Sequence, residues 1–287
     1  MVHLATLLAL ESYNPEVVNV VELEEDPIEI KIDKSNEDSI GFDIPSKSSP
    51  VVNLPWVKSE EFIKSQEENN ADVLMGAFCS VLIEPLPGEE YNVDLAAKSL
   101  KGIVVKPGEV FSQNQFIGPY TESRGYKKGA SYSGGNIVQT EGGGVCKIAS
   151  TLYNAAILSD LQIIERHNHT MPVNYIPYGQ DATVAYGGKD FKFKNEREYP
   201  ILIWAEILDI ILYIGREKSP EITWHHNIKS TVEAPKYYQE NPELEKGEEK
   251  IIIKGIDGAT VESYITIKYN DGNIKTKDLG VSKYIPL

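Results

Sequence analysis

Three consecutive glycines, Gly142, Gly143 and Gly144, run directly into Val145 and Cys146 and constrain this chain more than any other stretch. Glycines in series suit positive φ angles and close backbone approach. Beyond them, from Lys147 to Asp160, Ile148, Leu152, Ala155, Ala156 and Leu158 recur at helical spacing. The spacing predicts a helix with Cys146 near its N-terminus, where unpaired N–H groups of the first turn favour an adjacent anion. A thiolate is such an anion. Helix N-termini and cationic neighbours bring a cysteine pKa from about 8.5 into the range ~3.5–7.5, and Lys147 is the adjacent positive charge in sequence. The pattern is that of an activated nucleophile.

After the helix, Leu161 to Arg166 reads as a short strand delivering His167 and His169. Residues two apart in an extended chain face one side, so both imidazoles are expected to point to one place, either serving as base for Cys146. The stretch from Tyr178 to Tyr186 reads as a turn entering a strand, and Asp181 or Asp190 is the candidate to orient the histidine. A nucleophile, a base and a group orienting the base form the logic of thiol hydrolases and transpeptidases. Three other readings stay open. Cys146 could be a small buried hydrophobe, His167 and His169 with Cys146 and Asp181 could form a zinc set without finger spacing, or the group could be a polar network that only fixes the fold.

The 287 residues suffice for one large or two to three small domains. The net charge of −15 is unevenly placed: residues 1–90 carry 19 acidic and 5 basic side chains, and residues 91–287 carry 24 and 23. No basic patch is available to displace phosphate counterions, so nucleic acid is excluded as a partner. Two cysteines, Cys79 and Cys146, give no disulfide framework, although they could pair in an oxidising compartment. The apolar start, Met1 to Leu10, is too short to span a bilayer and lacks a basic region and a cleavage site, so no signal peptide is evident and no transmembrane span is expected. No cofactor is assigned.

In order, Val17 to Leu23 and Ile28 to Ile32 read as short strands, Lys34 to Pro55 as linker, Trp56 to Asn70 as a charged helix, Asp72 to Ile83 as a strand and Tyr91 to Lys101 as a helix. Ile103 to Val105 is a buried strand stopped by Pro107-Gly108. Tyr120 to Gln139 reads as an aromatic, basic loop suited to a polysaccharide or a carboxylate. Lys189 to Asn195 is a strand, and Pro200 to Ile214 a hairpin turning at Asp209. Ser219 to Pro235 reads as a connector with His225 and His226 at the surface. Ile251 to Ile253, Val261 to Tyr269 and Ile274 to Val281 are strands joined at Asp257-Gly258 and Asp271-Gly272. So small a sheet has little core of its own and is expected either to lie extended or to lean on its neighbour. The expected fold is α+β, a mixed sheet with a glycine-preceded cysteine helix plus a small C-terminal all-β module, divided as 1–60, an acidic extension, 61–216, and 217–287.

The ordered run Lys106 to Ser112, Asn114, Gly118-Pro119, Gly125-Tyr126, Gly142 to Cys146, Ser150 to Ala156, Glu165-Arg166-His167, His169 and Asp181 to Gly187 resembles the VanW family, named from glycopeptide-resistance clusters. Pro242, Gly247-Glu248, Gly255, Gly258 and Gly272 make residues 230–287 similar to the G-five extracellular module. The first resemblance implies a bacterial cell-envelope protein, extracytoplasmic or wall-associated, with no settled reaction. The second implies attachment to wall amino sugars. Family members often carry glutamine after the cysteine where this chain has Lys147, and a more hydroxyl-rich run where it has Ile148-Ala149. The resulting expectation is a cysteine-dependent hydrolase or transpeptidase acting on peptidoglycan, with Cys146, His169, His167 and Asp181 as the catalytic set. Ser112, Asn114, Arg124, Tyr126, Gly143, Gly144, Thr151, Tyr153 and Tyr186 are the candidates to contact substrate. The alternative is a non-enzymatic protein that binds peptidoglycan or a wall polysaccharide.

Overall fold

A computed structural model describes residues 47–287 apart from 53, 55, 83–84, 86–87, 134–135, 207–209, 239–243, 245–246 and 251–254. The strands expected at Val17 to Leu23, Ile28 to Ile32 and Ile251 to Ile253, and the turn at Asp209, lie outside the described residues. The centre is a five-stranded antiparallel sheet in the order β1 (Ser49–Pro50), β2 (Val73–Cys79), β10 (Ile210–Gly215), β9 (Ile201–Glu206), β3 (Ile103–Val105). β9 shows why it needs two covers. Its residues from Ile201 to Ala205 are all buried, and they alternate: Ile201, Ile203 and Ala205 join the main core, while Leu202 and Trp204 join a smaller cluster on the opposite face. That is period-2 geometry in a strand with apolar layers on both sides.

The smaller cluster is closed by helix α1 (Glu60–Asn69), whose Phe62 meets the Trp204 ring edge-on at 5.1 Å, and by Leu54, Trp56 and Cys79. Ser59 caps α1 by accepting from the Phe62 N–H. The main core is built around α4 (Val145–Leu158), with α2 (Glu89–Leu100) beside it. Buried residues run around all sides of α4, including Ser150, Thr151 and Asn154, so it is a central helix enclosed by other elements. Between α2 and α4 lie β4 (Val110–Ser112), the short helix α3 (Gln113–Ile117), and the hairpin β5 (Lys128–Ser133) and β6 (Asn136–Glu141). After α4, β7 (Gln162–Glu165) and β8 (Lys192–Lys194) form a small sheet with β4, where Phe111 stacks on Phe193.

The chain ends in a meander of β11 (Glu221–Val232), β12 (Gly258–Lys268) and β13 (Ile274–Tyr284). Every described strand pair is antiparallel, so helices and sheets are mixed but strand directions are not. β12 alternates strictly, with Val261, Ser263, Ile265 and Ile267 inward. This sheet does lean on its neighbour: Ile222, Trp224, Ile265 and Ile267 join the main core, and Trp224 packs edge-on against Tyr153 of α4.

Four segments differ from the sequence reading. Tyr120 to Gln139 contains β5 and the first four residues of β6, where the chain reads as a loop because glycine and serine are frequent in it. Ser219 to Pro235 contains the twelve-residue β11, which reads as a connector because only Ile222 and Trp224 along it are buried. The Asp257-Gly258 pair opens β12 without making a two-residue hairpin. The stretch from Tyr178 to Tyr186 enters no strand; it is loop throughout, and that loop carries the site.

Candidate active site

The glycine turn places Cys146. Gly144 is the N-cap of α4 at φ 105°, a left-handed conformation that favours glycine. Gly143 is held against a second glycine: a Cβ at this position would lie 2.1 Å from the Gly129 carbonyl oxygen. Asn92 on α2 fastens the turn by donating to the Gly143 carbonyl (2.9 Å) and to the Lys127 carbonyl (2.8 Å), while accepting from the Lys127 N–H. Gln113 donates to the Val145 carbonyl at 3.3 Å. The candidates Gly143 and Gly144 therefore serve backbone packing.

Cys146 is the one half-buried residue between buried Val145 and Lys147. Its Sγ lies 3.3 Å from Thr183 Oγ1 and accepts from the Val184 N–H at 3.5 Å. The His169 ring also hydrogen-bonds the sulfur. His169 Nδ1 is 2.7 Å from Asp181 Oδ2, which leaves Nε2 as the ring nitrogen for Cys146. The same Oδ2 accepts from the His169 backbone N–H at 2.6 Å, which fixes the ring and the chain that carries it. Asp181, 1% exposed, receives Arg166 Nη2 (2.9 Å) and the Tyr284 hydroxyl on Oδ1. Four donors thus surround one carboxylate.

The electrostatics follow from these contacts. Burial pushes the Cys146 thiol up, but the His169 ring beside it, with Thr183 and the Val184 N–H, brings it below its ordinary value. Burial pushes His169 down, but hydrogen bonds to Asp181 and Cys146 raise it to about 9. Burial also works against ionised Asp181, and His169 and Arg166 hold its carboxyl below the usual value. All three directions favour the charged forms, thiolate, imidazolium and carboxylate. A thiolate–imidazolium pair provides a nucleophile and a proton donor in contact.

Three expected participants point elsewhere. His167 Nε2 is 2.9 Å from Glu165 Oε1, and its part in the site is its carbonyl, which accepts from the Thr183 N–H at 2.8 Å. β7 stops at Glu165, so the two-residue alternation does not extend to residue 169. Asp190 does not orient a histidine: it accepts from Ser112 Oγ (2.6 Å) and the Asn114 N–H (3.0 Å). Lys147, expected beside the thiolate, runs to Glu89 at 3.0 Å and over the Tyr175 ring. Cys79 lies in β2 and forms no disulfide with Cys146.

The substrate-contact candidates divide. Thr151 is buried, donating to the Lys147 carbonyl and paired with Ser80 Oγ at 2.6 Å. Tyr153 is 2% exposed, its ring carrying the Arg166 guanidinium at 5.2 Å. Arg124 donates to the Gly118 carbonyl, and buried Tyr126 to the Ile117 carbonyl. Ser112 caps α3, and Asn114 donates to the Ala185 and Lys189 carbonyls, so both shape the loop. Ser112, Asn114 and Tyr186 nevertheless line a shallow surface cavity of about 620 Å³, beside the segment whose Val184 touches the sulfur. Tyr186 is 58% exposed. A second cavity, about 480 Å³, lies between β13 and the end of α4 and contains none of the Cys146 group. Among the described residues no group of three or more His, Cys, Asp or Glu side chains is arranged to hold a metal ion.

Arg166, Thr183 and Tyr284 are the participants the sequence reading missed. Arg166 stands beside His167 in the run that carries the resemblance, whereas Tyr284 carries no local signal.

Known proteins match in two blocks. Residues 88–214 match the family described as VanW like protein, and residues 225–285 match the G5 domain. The chain is 40% identical over 166 residues to the uncharacterized protein YoaR of Bacillus subtilis (strain 168), covering 56% of this chain and 52% of that protein. It is 31% identical over 138 residues to the Vancomycin B-type resistance protein VanW of Enterococcus faecalis (strain ATCC 700802 / V583), covering 46% and 50%. The chain spans about half the length of these curated relatives. No solved structure matches it significantly.

Proposed function

From a chain that carries a VanW-like domain followed by a G5 domain, a combination consistent with the cell envelope, we propose a cysteine-dependent acyl transferase acting on peptidoglycan stem peptides, as hydrolase or transpeptidase. The observation that carries it is the contact series from Cys146 to His169 to Asp181, with the last link at 2.7 Å. A wall substrate is supported by the resistance-protein relative and by the G5 domain. Among the described residues no helix is long and apolar enough to cross a membrane.

The chemistry proceeds in two halves. The Cys146 thiolate attacks a peptide carbonyl carbon, forming a C–S bond while the carbonyl electrons move to oxygen. In the first turn of α4 the Val145 and Lys147 N–H groups already donate to the Gly142 and Gly144 carbonyls, so the Cys146 N–H is the one that stabilises that oxyanion. The imidazolium of His169 gives its proton to the leaving amine as the C–N bond breaks. Water, or the amine of a second stem peptide, then gives a proton to His169 and attacks the thioester, and the C–S bond breaks to return the thiolate. Asp181 holds the ring and the charge that appears on it.

Incubation of the purified chain with muropeptides, read by mass spectrometry, tests this. Wild type is expected to release or exchange an amide-linked residue and to accumulate a thioester on Cys146, and Cys146→Ala to do neither. Undiminished turnover by Cys146→Ala would sink the proposal, and binding without turnover by wild type would favour a wall-binding role.

A further inference from the structure

We propose that Tyr284, the last residue of β13, is a positioning residue of the Cys146–His169–Asp181 site, so that the C-terminal sheet is part of the site's architecture as well as an attachment module. This rests on the thiol chemistry proposed above.

The hydroxyl of Tyr284 has its direction fixed from both sides. It accepts from the Gly179 N–H at 2.7 Å, so its own proton goes to Asp181 Oδ1. A second contact from the same strand reinforces it. Ser282 Oγ accepts from Arg166 Nη1 at 2.8 Å, and Arg166 holds the same Oδ1 through Nη2. The loop carrying Asp181 is clamped along its length by the sheet. Tyr178 packs against Tyr284 with the rings tilted by 50° and their centroids 5.0 Å apart, and donates to the Asp257 carbonyl, while Gln180 meets His226 of β11 at 3.1 Å. Gly179, at φ 81°, lies so close to β12 that a Cβ would fall 2.1 Å from Ser263 Oγ. On the histidine side, the Ile285 N–H donates to the Thr170 carbonyl, and Asn168 donates to the Lys283 carbonyl.

The consequence concerns which way the carboxylate faces. Oδ2 serves His169, and Oδ1 is pinned by two donors, one of them 103 residues away in sequence. Deleting the Tyr284 hydroxyl leaves Arg166 alone on Oδ1, and the carboxylate can rotate toward it, lengthening the bond to Nδ1. The imidazolium then loses part of its counterion and the thiolate loses its partner. The other charged or titratable groups around this set are Arg166 and Tyr153 at Asp181, Tyr175 edge-on to His169, and Tyr120 at Cys146.

The test is the alkylation rate of Cys146 by iodoacetamide against pH, in the full chain with Cys79→Ser. Tyr284→Phe keeps the ring packed on Tyr178 and is expected to raise the apparent thiol pKa and slow alkylation at pH 7 by about three- to tenfold. Ser282→Ala is expected to shift it the same way by less, and provides the readout if Tyr284→Phe does not fold. Tyr178→Phe, which deletes a hydroxyl at the same contact without touching Asp181, is expected to leave the profile unchanged. Tyr284→Phe combined with Asp181→Asn should react no more slowly than Asp181→Asn alone. An unmoved profile in both Tyr284→Phe and Ser282→Ala, an equal shift in Tyr178→Phe, or independent multiplication of the Tyr284 and Asp181 effects would overturn the proposal. The readout is the thiol itself: an unmoved profile ends this coupling alone, whereas turnover by Cys146→Ala ends the functional reading alone.

Discussion

Asp181→Asn removes the charge of Asp181 while keeping its shape, and the structure sets the size of the effect. His169 is raised from 6.5 to about 9 by its two partners against the opposing effect of burial. That difference corresponds to about 3 kcal/mol favouring the protonated ring, shared between Asp181 and Cys146. An amide cannot replace the carboxylate neutrally. All four groups around it are donors: the His169 N–H and Nδ1, Arg166 and Tyr284. Whichever way the amide turns, its NH2 faces a donor. The apparent thiol pKa is expected to rise by about one unit or more, slowing alkylation at pH 7 roughly tenfold. Stability is expected to fall by about 2–3 kcal/mol, because a buried, nearly fully paired carboxylate is lost beside Arg166. The sign of the pH dependence follows from linkage. A histidine whose folded pKa is raised contributes stability that is fully present below about 6.5 and disappears as pH rises through about 9. Urea denaturation of wild type and Asp181→Asn should therefore show a gap that is widest near pH 6 and narrows above pH 9. A pH-independent gap together with an unshifted thiol pKa would refute the reasoning.

His167→Ala is expected to leave the alkylation profile of Cys146 unchanged, because the ring is engaged by Glu165 and only the backbone of residue 167 reaches the site; an upward shift comparable to that of His169→Ala would contradict this. Gly143→Ala should cost about 3 kcal/mol or more, seen as a lowered thermal midpoint, since its Cβ would meet the backbone of Gly129 where no side chain can move aside. A midpoint within two or so degrees of wild type would show that the turn is looser than the structure describes.

Much of the framework is legible along the chain because it rests on local patterns. The apolar recurrence after Cys146 gives α4, the alternation of Val261 to Ile267 gives β12, and Asp271-Gly272 marks the turn before β13. Elements are missed where local pattern is weak. β11 leaves only Ile222 and Trp224 buried, so its hydrogen-bonded pairing with β12 is not announced by hydrophobic alternation. The choice between His167 and His169 is missed for a related reason: the alternation rule requires strand geometry, and β7 has ended before either histidine.

The division of the site itself explains what remained hidden. Its reactive half, Cys146 on the N-terminus of α4, is specified by neighbours within a few residues, and the glycine turn advertises it. Its orienting half is a loop with no regular structure between Tyr178 and Tyr186, and such a loop must borrow partners for its backbone and side chains. It borrows them from the last sheet: Tyr284 takes the Gly179 N–H, β12 closes on Gly179, and Ser282 takes one arm of Arg166. Arg166 in turn donates to the Gly179 and Asp181 carbonyls, bracing the loop from inside. Asp181 therefore acquires its orientation only when two stretches far apart in sequence have folded against each other. A reading that treats the C-terminal module as a separate attachment device names Asp181 to orient a histidine, leaves open which one, and omits Tyr284 and Ser282, which hold the carboxylate and its Arg166 partner in place.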